Sequence, residues 1–250
     1  MSVYTRDATL GRQAIGGVFP GVINKSFWPS ESGATEIWRA DDISGSNWVS
    51  LINGDTYART GSGGTASAAG PPSTGMISYQ HSAESWEDAT PNSSIQPGTA
   101  DFSIIFVARV STGYTYVLFD YDSTVNTTEG IYIAYFTGVA LLMGVHDGTT
   151  QHRTHWLSGS GASMLEDGDW HHIEMIFDKS ASLVGVVADG VTQSTGLNAG
   201  SALSAVGSIT PAGGLAIGAA EGGGSPLDNN HDLAYIAYAK NLTYKTPLLP

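Results

Sequence analysis

From residue 101 onward, apolar and polar residues alternate with a period of two in short runs, and Gly- or Asp-containing turns cut the runs. Nine runs are predicted as strands: Phe102–Val110, Tyr114–Tyr121, Ile131–Phe136, Val139–Val145, His152–Leu157, Trp170–Asp178, Leu183–Ala188, Leu215–Gly218 and Asp232–Ala239. In the first of these, Phe102, Ile104, Phe106, Ala108 and Val110 share one face. Thr137-Gly138 and Asp189-Gly190 are candidate two-residue hairpin turns. Upstream, Glu36–Ala40 and Met76–Gln80 are predicted strands, while residues 61–75 and Glu84–Gly98 are predicted loops. Residues 1–35 sustain no period and are predicted to be an extended arm, which leaves 36–250 as one β-domain. No helix of useful length is predicted and no repeat of 20–50 residues is found.

Composition narrows the class further. Charged residues make up 13% of the chain and 32 of its 250 residues are glycine, a mix that resists helices and suits strands joined by tight turns. The net charge of −13 disfavours nucleic acid and anionic membrane surfaces as partners. The absence of cysteine excludes disulfides, thiolate nucleophiles and cysteine-ligated metals. No apolar run reaches the 18 residues of a membrane span. The first residues, Met1-Ser2-Val3-Tyr4, lack the apolar stretch of a signal peptide, so synthesis in a cytosol is expected.

One stretch carries a resemblance. Gly168-Asp169-Trp170-His171-His172-Ile173, running on to Phe177-Asp178, is similar to the Gly-x-Trp-His-His strand of laminin G-like and concanavalin A-like lectin/glucanase domains. Val186-Val187-Ala188-Asp189-Gly190 resembles the hairpin of that superfamily, and Leu215-Ala216-Ile217-Gly218 and Asp232–Leu242 resemble its closing strands. Phe102–Val110 is similar to its central strand. The resemblance covers roughly residues 100–245 and implies an all-β, concanavalin A-like jelly-roll β-sandwich preceded by the extended N-terminal arm. Trp170 is expected to lock a strand end through its buried area, and the sandwich is expected to close around it. His171 and His172 point to opposite faces, cannot chelate one metal together, and are expected to be structural or surface histidines.

Enzymes of this fold place two carboxylates on one strand at a spacing of two. Glu84-Ser85-Trp86-Glu87-Asp88 has the wrong spacing, Glu166-Asp167-Gly168-Asp169 is a turn and Glu174 stands alone on its strand, so no catalytic residue is predicted. His146, His152 and His155 form a weak histidine cluster whose bland alternative is a set of hairpin positions. No cofactor is expected; the resemblance makes calcium a more natural metal than a histidine-held one, with Asp228 and Asp232 as ligands and Asp120-Tyr121-Asp122 as a second oxygen cluster, the alternative being solvated turn residues. Trp86, Tyr114, Tyr116 and Trp156 are the candidate sugar-stacking aromatics; the alternative for each is packing in the core or at a subunit interface.

These features lead to one expectation. It is a non-enzymatic virion structural protein of a bacteriophage, made in the host cytoplasm and displayed as a capsid decoration or tail-fibre component. It is expected to form a homo-oligomer, a trimer by preference, with a major capsid protein and host surface glycans as partners. A stand-alone carbohydrate-binding lectin module is the first alternative, and a glycoside hydrolase or polysaccharide lyase the second.

Overall fold

The computed structural model describes residues 34–61, 64–67, 70–71, 76–81, 85–88, 90, 92–109, 115–121, 128–136, 140–157, 165–189, 191–218 and 231–240. The expected arm of residues 1–35 lies outside them, except for its last two residues.

Strands dominate because the chain alternates and helix formers are scarce. In chain order they are β1 (Glu36–Arg39), β2 (Ile43–Ser44), β3 (Asn47–Val49), β4 (Thr56–Thr60), β5 (Thr65–Ser67), β6 (Ser78–His81), β7 (Ser85–Asp88), β8 (Phe102–Arg109), β9 (Thr115–Tyr121), β10 (Gly130–Phe136), β11 (Ala140–His146), β12 (Gln151–Leu157), β13 (Trp170–Asp178), β14 (Leu183–Ala188), β15 (Val191–Gln193), β16 (Thr195–Gly200), β17 (Leu215–Ile217) and β18 (His231–Lys240). Two antiparallel sheets stack as a jelly-roll β-sandwich. The first runs β15-β14-β13-β8-β18-β6-β5, with β1 added on β18; the second runs β16-β12-β11-β10-β9-β17-β7-β4-β3-β2.

Between the sheets lies the main core. Phe102, Ile104, Phe106 and Ala108 face inward from β8, as the alternation predicts, and meet Phe119, Ile133, Met143 and Trp156 of the second sheet. Trp38, Trp48, Trp86 and Trp156 are essentially inaccessible, and removing each such side chain from water stabilises the fold by roughly 1.5–3 kcal/mol. Edge-to-face ring contacts join the layers, Phe106 to Phe119 at 6.5 Å and Tyr79 to Trp86 at 5.3 Å.

Several predictions are corrected. The predicted loop Glu84–Gly98 contains β7, which is central rather than peripheral and pairs with both β4 and β17. The predicted loop 61–75 contains the edge strand β5, and β2, β3, β4, β15 and β16 had no counterpart in the pattern. The Thr137-Gly138 turn and Val139 lie outside the described residues. The Asp189-Gly190 hairpin has its expected length, with Ala188 opposite Val191 and Asp189 at φ +49°. Trp170 is buried, but on the outer face of the first sheet with Ile105, Val107 and Tyr235, so the sandwich does not close around it.

Candidate functional site

The register of the second sheet aligns one outward-facing row across its strands. Glu87 of β7 lies opposite Ala216 of β17, Ala216 opposite Asp120 of β9, and Asp120 opposite Tyr132 of β10. Tyr132 then faces Gly144 of β11, and Gly144 faces Arg153 of β12. Sequence neighbours of these residues, such as Phe119, Ile131 and Met143, point into the core, so the row itself faces away from it. Residues two positions along β10, β11 and β12 add Ala134, Leu142 and His155 to the same face.

Small residues shape this row. At Gly144 an added Cβ would come within 3.3 Å of the Arg153 Cγ, so the arginine stem lies across the space that a side chain would take. Arg153 donates from Nη2 to Asn198 Oδ1 at 3.0 Å, which holds the guanidinium toward β16. Burial, reinforced by Asp120 and opposed by Arg153, pushes the Tyr132 hydroxyl up to about 12, so it stays a neutral donor across the physiological range. Asp120 is buried, whereas Glu87, Arg153 and His155 are half-buried and reach solvent. Tyr132 is buried too, in a small cluster with Ala134 and Leu142, so the groups that reach solvent along the row are the Glu87 carboxylate, the Arg153 guanidinium and the His155 imidazole, a set suited to hydrogen-bonding hydroxyls.

Glu87 and Asp120 share this face with one strand between them, which sets their backbones about 10 Å apart.

The residues singled out in the sequence fall elsewhere. Trp86 and Trp156 are core residues at 0% and 1% exposure, so the packing alternative holds for both and neither indole face is open to a sugar. Trp86 is wedged edge-on against Trp48 and Tyr79. Tyr114 lies outside the described residues, and so does the Tyr116 side chain, whose backbone pairs with Tyr135. Asp228 and Asp122 also lie outside them. Asp232 does not serve as an open calcium ligand: its Oδ2 accepts from Arg109 Nε at 2.9 Å and from Nη2 at 2.7 Å, and its side chain is 2% exposed. Among the described residues, no three His, Asp or Glu side chains come together in a way that could hold a metal ion.

The Trp-His-His motif proves to be a structural lock. His171 donates through Nδ1 to Asp189 Oδ2 at 2.7 Å and through Nε2 to Asp167 Oδ1 at 3.0 Å. Asp189 also accepts the His172 backbone N–H through Oδ1 at 2.9 Å, so one carboxylate ties the β14–β15 turn to β13. Arg109, paired with Asp232, lies 5.4 Å over the Trp170 ring. His152 faces inward at the other sheet, between the Ser201 carbonyl and Thr154 Oγ1 at 2.7 and 2.6 Å.

No family model matches the chain, and no curated protein matches its sequence. Solved structures do resemble it. The binding domain of Paraclostridial Mosquitocidal Protein 1 aligns over 84% of this chain and 49% of its own at 11% identity, with a TM-score of 0.57. A structure described by the dependence of botulinum neurotoxin type C cell entry on two ganglioside molecules aligns over 86% and 50% at 10% identity, with a TM-score of 0.53. Trypanosoma rangeli sialidase in complex with sialic acid aligns over 84% and 31% at 11% identity, with a TM-score of 0.54. The chain thus spans half or less of each of these structures. At such identities the likeness speaks for the fold alone, and that fold is an antiparallel jelly-roll β-sandwich.

Proposed function

We propose that this chain is a non-enzymatic binding module whose ligand is a glycan, held on the outer face of the ten-stranded sheet. The observation that carries the reading is the row that runs from Glu87 through buried Asp120 and Tyr132 to Arg153, with His155 beside it, which sets the solvent-reaching Glu87, Arg153 and His155 on one face from strands far apart in sequence. Two of the similar structures are described by a ganglioside or sialic acid, which supports a sugar as the ligand class. With Trp86 and Trp156 in the core, neither indole serves as a stacking platform, and hydrogen bonds from the row supply recognition.

The module is carried on a bacteriophage particle as a capsid decoration or tail-fibre component, after synthesis in the host cytoplasm. The absence of cysteine and the acidic charge suit such a protein. There it contacts its own copies and a capsid protein, and it presents the polar row to host surface glycans.

A glycan array probed with the full chain, beside an Arg153→Ala variant, tests the binding reading. Selective retention of a glycan class, lost in the variant, is the expected result. A folded protein that retains no glycan overturns it. Release of reducing sugar from a retained glycan, abolished by Glu87→Gln, would turn the reading to a hydrolase. Imaging purified particles labelled with an antibody to the chain tests the location, and unlabelled particles would refute it.

A further inference from the structure

Both sheets end on the same flank of the sandwich. β15 is the terminal strand of the first sheet and β16 that of the second, and the chain passes from one to the other through Ser194 alone. Five large hydrophobic side chains are exposed among the described residues, and three of them lie here: Leu183 at 37%, Val191 at 54% and Leu197 at 58%. The flank is also nearly free of charge. Between Lys179 and Glu221, Asp189 is the only charged residue, in a chain whose net charge is −13.

β16 is the open edge of this flank. Among the described strands it pairs only with β12, and Leu197, Asn198 and Gly200 are exposed along it. Natural edge strands are guarded by charge, proline or extreme shortness. The other edges here are guarded by length, at two residues for β2 and three each for β5 and β15. With six residues and neither a charge nor a proline, β16 has no such guard.

We infer that this flank is a self-association surface. A second copy of the chain docks there, with β16 antiparallel to its symmetry mate about a two-fold axis, so that two ten-stranded sheets join into one. The occupant follows from charge and symmetry. Two chains of −13 repel each other over most of their surfaces, and a flank poor in carboxylates is where they meet with the least repulsion. A basic partner would find almost no carboxylates there. An antiparallel edge is complementary to itself, which is the requirement of an isologous contact. Such pairing yields a dimer rather than the trimer expected from the sequence. It also turns both outer faces the same way and sets the two Arg153 backbones about 14 Å apart, three strand spacings across the joint.

Sedimentation of the full chain at several concentrations tests the inference. Wild-type protein is expected to reach twice the 26.0 kDa mass of one chain. Leu197→Lys, which sets a charge on the joint, is expected to return the single-chain mass with an unchanged circular-dichroism spectrum. Leu197→Glu, which sets like carboxylates on the joint at the same exposed position, is expected to do the same if the lysine variant misfolds. Leu51→Lys, at an exposed position in the β3–β4 turn, should keep the doubled mass. A wild-type monomer at every concentration, a trimeric mass, or a doubled mass that survives both β16 substitutions overturns the inference.

Discussion

His171 on β13 and His152 on β12 are both buried, and their surroundings drive them in opposite directions. Burial works against the charged form at each. At His171, two carboxylates outweigh it and the pKa is raised; at His152, the Ser201 carbonyl offsets only part of it and the pKa is lowered. The first region is therefore held together by charge. The second hides a neutral ring inside the sheet that carries half-exposed Arg153 and His155 on its outer side. In the His171 region polar groups are consumed by the fold inside the sheet edge, whereas over β12 Arg153 and His155 reach the outer face. The comparison separates substitutions that should unfold the protein from those that should only disarm it.

Trp170→Ala should show the largest effect. The indole is 7% exposed, packs with Ile105, Val107 and Tyr235, and lies beneath Arg109. Its removal leaves a cavity and strips one side of the Arg109–Asp232 pair, at an expected cost of about 3–5 kcal/mol in a urea titration. A loss below about 1 kcal/mol would mean that the region does not act as a lock.

The histidines separate by pH. The folded pKa of His171 lies above its unfolded value of about 6.5, so its contribution is full below that pH and is lost as pH rises through the folded pKa. For His152 the folded pKa lies below 6.5, so its contribution is full above that pH and is lost as pH falls through the folded pKa, because the unfolded chain takes up the proton first. Stability measured from pH 5 to 8 should therefore lose a decline on the alkaline side in His171→Gln and a decline on the acid side in His152→Gln. Asp189→Asn should weaken the alkaline decline alone. Identical profiles for the two histidine variants would erase the contrast.

The first region was far more legible than the second. β13 and β14 have the bounds that the sequence predicts, because long apolar alternation and an Asp-Gly turn are local signals. β7 was missed because Ser85-Trp86-Glu87-Asp88 holds a single apolar residue near two prolines, and its place in mid-sheet depends on β4 and β17, far off in the chain. The same error put Trp86 in a loop and made a core indole look like a sugar platform. For Trp156 the alternation of His152, Thr154 and Trp156 is legible in the sequence; the pattern lacks a sign of which face is the core. The polar row had no sequence signature at all. Glu87, Asp120, Tyr132 and Arg153 become neighbours only through register, although Asp120 had drawn notice as a possible calcium ligand.

Arg153→Ala probes the smallest expected effect on stability. Arg153 is half-buried with its stem over Gly144, and its bond to Asn198 is solvent-exposed. Water can replace that bond, and surface changes of this kind usually stay within about 0.5 kcal/mol. The residue sits between Tyr132 and β16, where a ligand on the outer face would meet its guanidinium. A urea titration of the variant should thus match wild type while glycan retention disappears. If Arg153→Ala instead destabilised the protein as much as Trp170→Ala, the row would be a second lock, its polar groups would be committed to holding β12 against β11, and the binding surface would have to lie elsewhere.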